Sequence, residues 1–264
     1  MKLLPVLLIA ALALTPVRAQ DWAKASLDKS SRHGEWVKVH HGSRDVDCFV
    51  VYPEVKGPAT VVLVIHEIFG LSDWARRAAD QLAAAGYIAV APDLLSGMAP
   101  GGGGVKGFAS QDDIVHAVSA LPADQVTADL DAAAEYGAGL PAANGKIVVA
   151  GFCWGGGQSF RFATHSKAVK AAFVFYGAQP KPEYLAQIGC PVYGFYAGND
   201  GRISLTVPKT AELMKAAGKT YDTVIYDGAG HGFMRSGQAP DATPANKAAR
   251  DAAWARWMDL LGRI

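Results

Sequence analysis

Near the middle of the chain the apolar run Lys146-Ile-Val-Val-Ala150 passes directly into Gly151-Phe-Cys153-Trp-Gly155-Gly-Gly157, and a helical pattern continues to His165. A strand that ends on a glycine and starts a helix within three residues must turn sharply between the two. The residue at the tip then takes strained backbone angles, and the positions two away on either side must be small so that strand and helix can approach. Gly151 and Gly155 meet that demand, which leaves Cys153 at the tip as a candidate nucleophile. There the Trp154 N–H faces the place where an oxyanion would form, and the helix start lends positive potential to the sulfur. The competing reading, a buried structural cysteine beside a glycine-rich turn, gives no reason for the strand and helix on either side.

The rest of the chain supplies a sheet for such a turn. Residues 35–41 and 46–52 alternate or are β-branched around Gly42-Ser43-Arg44, which predicts a hairpin. Short apolar runs follow at 60–65, 88–91, 146–150, 171–175, 191–197 and 221–226, in the manner of buried parallel strands. Helices are expected at 72–85, 123–137 and 205–217, the first and last of them stopped by glycine. A final helix over 244–261 sets Ala248, Ala252, Ala253, Trp257 and Leu260 or Leu261 on one face, to pack on the sheet. The expectation is an α/β fold of about eight mostly parallel strands with helices on both faces. No internal repeat or second domain is visible, so residues 20–264 read as one domain. Residues 99–107 form a flexible glycine-rich loop, and Lys106 is followed by Gly107 where a phosphate-cradling loop needs Ser or Thr.

Composition narrows the partners. Half of the 264 residues are hydrophobic, and 25 Lys and Arg against 24 Asp and Glu leave a net charge of +1. That is ample material for one core and no electrostatic footprint for nucleic acid. Met1-Lys2, an apolar run over 3–14, and small residues at Val17 and Ala19 lay out a secretory signal peptide over 1–19, cleaved after Ala19. The expected product is exported, periplasmic or secreted, monomeric, and not held at a membrane. Three cysteines in such a protein leave at least one free. Cys48 and Cys190 sit in strand-like runs and read as core residues, with a bridge between them open.

A cysteine nucleophile needs a base, and the base an orienting acid, which follow it in the order acid, then histidine. Asp200 lies in Gly198-Asn-Asp-Gly201 after the run 191–197, and His231 lies in Gly228-Ala-Gly-His-Gly232 after 221–226. Each alone has a bland reading, a turn aspartate and a surface histidine. Together they fall just past strand C-termini, where open α/β sheets keep their sites. Glu67 ends the run 60–65 on that same edge. His33, His40 and His41 show no ligand spacing, no metal is called for, and His66 reads as structural.

Glu67-Ile-Phe-Gly70, Ala91-Pro-Asp-Leu94, Gly151-Phe-Cys-Trp-Gly-Gly156, Asp200 and His231-Gly-Phe-Met-Arg235 together resemble the dienelactone hydrolase family of the α/β-hydrolase fold. The likeness runs over nearly all of the chain past residue 19. It implies hydrolysis of lactones or small carboxylic esters through an acyl-thioester, without cofactor or metal. It also implies that Glu67 contacts the resting Cys153, and that the Ile68 N–H joins that of Trp154 in an oxyanion hole. Arg235 matches one of two arginines that hold a substrate carboxylate. The second has no counterpart in 97–121, where Lys106 is the sole Lys or Arg. A general carboxylesterase or thioesterase, or a non-catalytic binding protein on the same fold, is the competing reading.

Overall fold

The computed structural model describes residues 20–264. The expected signal peptide lies outside the described residues. The eight strands are β1 (Gly34–His41), β2 (Arg44–Val51), β3 (Ala59–Ile65), β4 (Ile88–Pro92), β5 (Ala143–Phe152), β6 (Val169–Phe175), β7 (Val192–Ala197) and β8 (Tyr221–Tyr226). They form one sheet in the order β1-β2-β4-β3-β5-β6-β7-β8. The β1–β2 hairpin and the β2–β4 pair are antiparallel, and every other pair is parallel.

Every residue of β3 is buried, because the sheet is covered on both sides. Val62 and Val64 point into one apolar layer, Val61, Leu63 and Ile65 into the other. On the first side lie α1 (Asp21–Leu27), α2 (Asp73–Ala84), α3 (Gln111–Ser119), α7 (Phe233–Ser236) and α8 (Pro244–Leu261). On the second lie α4 (Ala123–Ala138), α5 (Trp154–His165) and α6 (Val207–Ala216).

The structure departs from the sequence reading in three elements. Helix α1 stands where a polar lead-in was expected, and α3 was not foreseen. Each buries one residue, Ala23 and Val118, so neither carries a periodic apolar signal. The Ser110 side chain accepts from the Asp113 N–H and caps α3. In α8 the buried face is Ala249, Ala253, Trp257, Leu260 and Leu261, while Ala248 and Ala252 are exposed. The paired alanines leave the phase of the helix undetermined, and Trp257 sets it. Its ring packs edge-on against Phe175 at 4.8 Å between centroids and against Phe152 at 5.9 Å.

All three cysteines are free. Burial pushes the Cys48 thiol up to about 12 and the Cys190 thiol to about 11; Cys48 lies in the core, whereas Cys190 is half-buried ahead of β7 and packs against the core from its edge. No described helix is long and apolar enough to cross a membrane.

Candidate active site

Strand β5 ends at Phe152 and α5 begins at Trp154, with Cys153 between them at φ 55° and ψ −117°. A Cβ on Gly151 would sit 1.9 Å from the Gly155 carbonyl oxygen, and one on Gly155 would sit 2.3 Å from that of His66. Neither position has room for a side chain, so the close approach predicted for the turn is present. It also brings the end of β3 against the start of α5.

Across the same edge the Cys153 Sγ lies 3.0 Å from His231 Nε2, and His231 Nδ1 lies 2.5 Å from Asp200 Oδ2. Asp200 is buried, and its other oxygen accepts from the Ile203 N–H at 3.3 Å. A carboxylate with both oxygens engaged is fixed in orientation, and it requires a hydrogen on Nδ1. Nε2 is thereby turned to the sulfur. The hydrogen bond with Cys153 pushes His231 up to about 9, with Asp200 adding to it and burial opposing.

Ile68 and Trp154 line the same cavity as Cys153, and each carries a backbone donor. The Trp154 N–H is among the four at a helix start that no residue of the helix accepts, and the Ile68 N–H, in the loop after β3, donates to no backbone carbonyl among the described residues. His66 fixes that loop, since its Nδ1–H donates to the Glu67 carbonyl at 2.7 Å and its ring stacks on Trp154 at 5.5 Å. Burial pushes His66 down to about 4, as fits a structural residue.

Glu67 is 2 % exposed. Its Oε2 accepts from Arg235 Nε at 2.7 Å and its Oε1 from the Tyr176 hydroxyl at 3.4 Å. The contact implied between Glu67 and Cys153 is not made here, since the thiol turns to His231. A carboxylate so deeply buried needs a counter-charge. Burial pushes Glu67 up, while the facing guanidinium of Arg235 opposes the shift. Arg235, expected to face substrate, therefore sits on α7 with its side chain on Glu67 and over the Phe69 ring. Lys106 lies over the Trp36 ring, in a depression with Asp47 and Asp93.

Cys153 opens into a cavity of about 530 Å³ whose walls include Ile68, Trp154, Tyr176 and Ile203. The cations that line it are Arg161 and Arg202. Sequence reasoning missed both, and it missed Tyr176, whose fully buried ring meets His231 edge-on at 5.0 Å. Arg161 had a signal, seven residues past Trp154 and so on the same face of α5 as the residue that follows Cys153. Tyr176 had none, because its φ of 41° and its place beneath the histidine are tertiary facts. Among the described residues no group of three or more His, Cys, Asp or Glu could hold a metal ion.

A parallel sheet with an antiparallel hairpin at one edge, a strained residue between its central strand and the next helix, and acid and histidine on later loops define an α/β-hydrolase. Within that class the chain belongs to the dienelactone hydrolase family, whose model matches residues 46–264. A Methylorubrum extorquens protein named "Putative carboxymethylenebutenolidase" is 34% identical over 236 residues, 84% of this chain and 79% of that one. An Escherichia coli K12 protein of the same name is 31% identical over 189 residues, 67% and 68% of the two chains. Among solved structures, a "Putative Dienelactone Hydrolase" from Klebsiella pneumoniae superposes with a TM-score of 0.78 at 25% identity, over 89% of this chain and all of that one. The dienelactone hydrolase of Anabaena variabilis shares the fold at a TM-score of 0.61 and 19% identity, over 84% and 96% of the two chains.

Proposed function

We propose that this protein is an exported hydrolase of lactones or small carboxylic esters that works through a covalent intermediate on Cys153. The observation that carries the reading is the continuous hydrogen-bonded line from Cys153 through His231 to Asp200. The names of its relatives support the substrate class. Substrate enters the cavity above Cys153, and the sulfur attacks the carbonyl carbon. The Ile68 and Trp154 N–H groups hold the resulting oxyanion. Collapse breaks the C–O bond of the ester or lactone, and His231 passes the Nε2 proton to the departing oxygen. An acyl-thioester remains.

Acylation alters the base. The hydrogen bond to the Cys153 sulfur is the largest influence holding the proton on His231, and a thioester sulfur is a poor acceptor. His231 thus becomes a competent base once the acyl group is in place, taking a proton from water as the oxygen adds to the thioester carbonyl. The C–S bond breaks, the acid leaves, and the sulfur pairs again with the protonated imidazole. Glu67, anchored by Arg235 and Tyr176, acts as a positioning residue: it fixes the loop whose next N–H is that of Ile68.

The test is a hydrolysis panel of paired lactones and open esters, with and without a free carboxylate. Turnover of lactones and small esters is expected. No turnover of any member, with no acylation by an activated ester, would overturn the reading in favour of a binding protein.

A further inference from the structure

The helix that begins at the candidate nucleophile continues as the floor of a longer groove. Trp154, Gly157, Gln158 and Arg161 border the cavity at Cys153, while Arg161, Thr164 and His165 border a second cavity of about 1110 Å³ between α4, α5 and the 179–187 segment. These positions make one stripe along α5. Arg161, Gln179 and Pro180 belong to both cavities, so the two are continuous around the Arg161 side chain.

Three hydrogen bonds hold the Arg161 guanidinium in place. Its Nε donates to Gln158 Oε1 at 2.9 Å, Nη1 to Thr127 Oγ1 at 2.7 Å and Nη2 to the Ala123 carbonyl at 2.8 Å. All three acceptors are neutral. A guanidinium has five N–H donors, so two remain, along with a full charge that no salt bridge neutralises among the described residues. Of the carboxylates on that wall, Asp131 is spent on His165 at 3.0 Å, and Asp124 acts on Arg161 through space. Burial works against the charge on Arg161, a cost that an arriving anion would offset. Lys167 and Lys181 add positive charge farther along the groove.

We infer that Arg161 forms a distal subsite for an anionic group, carboxylate or phosphate, on an elongated acyl ester whose carbonyl lies at Cys153 and whose chain runs along this stripe of α5. This rests on the hydrolase reading above and adds selection by length. Eight residues of helix separate the two, a rise of about 12 Å, and the arginine side chain leans back toward the helix start. A compact lactone does not reach; a longer half-ester does.

The test uses p-nitrophenyl half-esters of straight-chain dicarboxylic acids of increasing length, each beside its methyl ester, with a parallel series ending in phosphate. The readout is the ratio of kcat/KM for the anionic ester to that for its neutral counterpart, taken within one protein so that a general loss of activity or folding cancels. In the wild type this ratio is expected near one for the shortest chain and about tenfold once the anion reaches Arg161, carried by KM. Arg161→Gln should return it to near one at every length, and Arg161→Lys should restore part of it. The series with the larger ratio names the anion. A ratio that is flat with length would overturn the subsite alone, and so would one that survives in Arg161→Gln, which would point to Arg202 on the same cavity wall. Hydrolysis of no ester by the wild type would overturn the hydrolase reading and the subsite with it.

Discussion

His231 stands between two partners, and only one of them persists through the proposed reaction. In the free protein its proton is retained up to about pH 9, chiefly by the hydrogen bond to Cys153. In the proposed reaction protonated His231 supplies the proton to the leaving group, so kcat/KM should fall as pH rises through about 9. Thioester hydrolysis needs the neutral ring, so under deacylation-limited turnover kcat should instead rise with pH, through a value below 9 because the sulfur has been acylated. Stopped-flow profiles of both parameters check this; a kcat limb rising at the free-protein value would contradict it. Glu67 and Arg235 make a second prediction at this scale. Removing the guanidinium strands a buried carboxylate, and Arg235→Ala should cost about 3 kcal/mol. Burial raises the folded-state pKa of Glu67 above its unfolded value, so folding takes up a proton in the window above the unfolded carboxylate range, and stability falls as pH rises through it. The loss in Arg235→Ala should therefore be larger at pH 8 than at pH 5. Chemical denaturation at the two values measures it, and an equal loss at both would mean that Glu67 stays paired elsewhere.

Among the elements, the turn between β5 and α5 is the one whose geometry the sequence states outright. Gly151 and Gly155 are read from spacing alone, and the distances of 1.9 and 2.3 Å that a Cβ would meet give the reason. Gly155→Ala must push the end of β3 from the start of α5, moving the Ile68 and Trp154 N–H groups apart. A shift of about 1 Å in such a site costs about a hundredfold in kcat, while circular dichroism should still report the helices. Unchanged kcat in a folded Gly155→Ala protein would remove the elbow from the account. Strands were legible because buried parallel strands are continuous β-branched runs, as in β3 and β5. Less legible were α1 and α3, which bury one residue each, and the phase of α8, where alanine occupies both candidate faces.

For the whole molecule, order along the chain carried Cys153, Asp200 and His231 to one sheet edge, because the fold places each of those loops past a strand C-terminus. What order cannot supply is the partner of a buried charge: the pairing of Arg235 with Glu67, and the hold of neutral acceptors on Arg161, emerge only once the elements are packed. Export is a property of the intact chain, and we propose that signal peptidase cuts after Ala19. Intact mass of the exported protein should correspond to a start at Gln20, and a form retaining residues 1–19 would contradict it. The covalent route through Cys153 is tested most directly by mass spectrometry of His231→Ala exposed to an activated ester and quenched, beside turnover by Cys153→Ala. The expected result is one acyl mass on the peptide containing Cys153, none on those containing Cys48 or Cys190, and no turnover by Cys153→Ala. An acyl group on another residue, or wild-type turnover without Cys153, would contradict it.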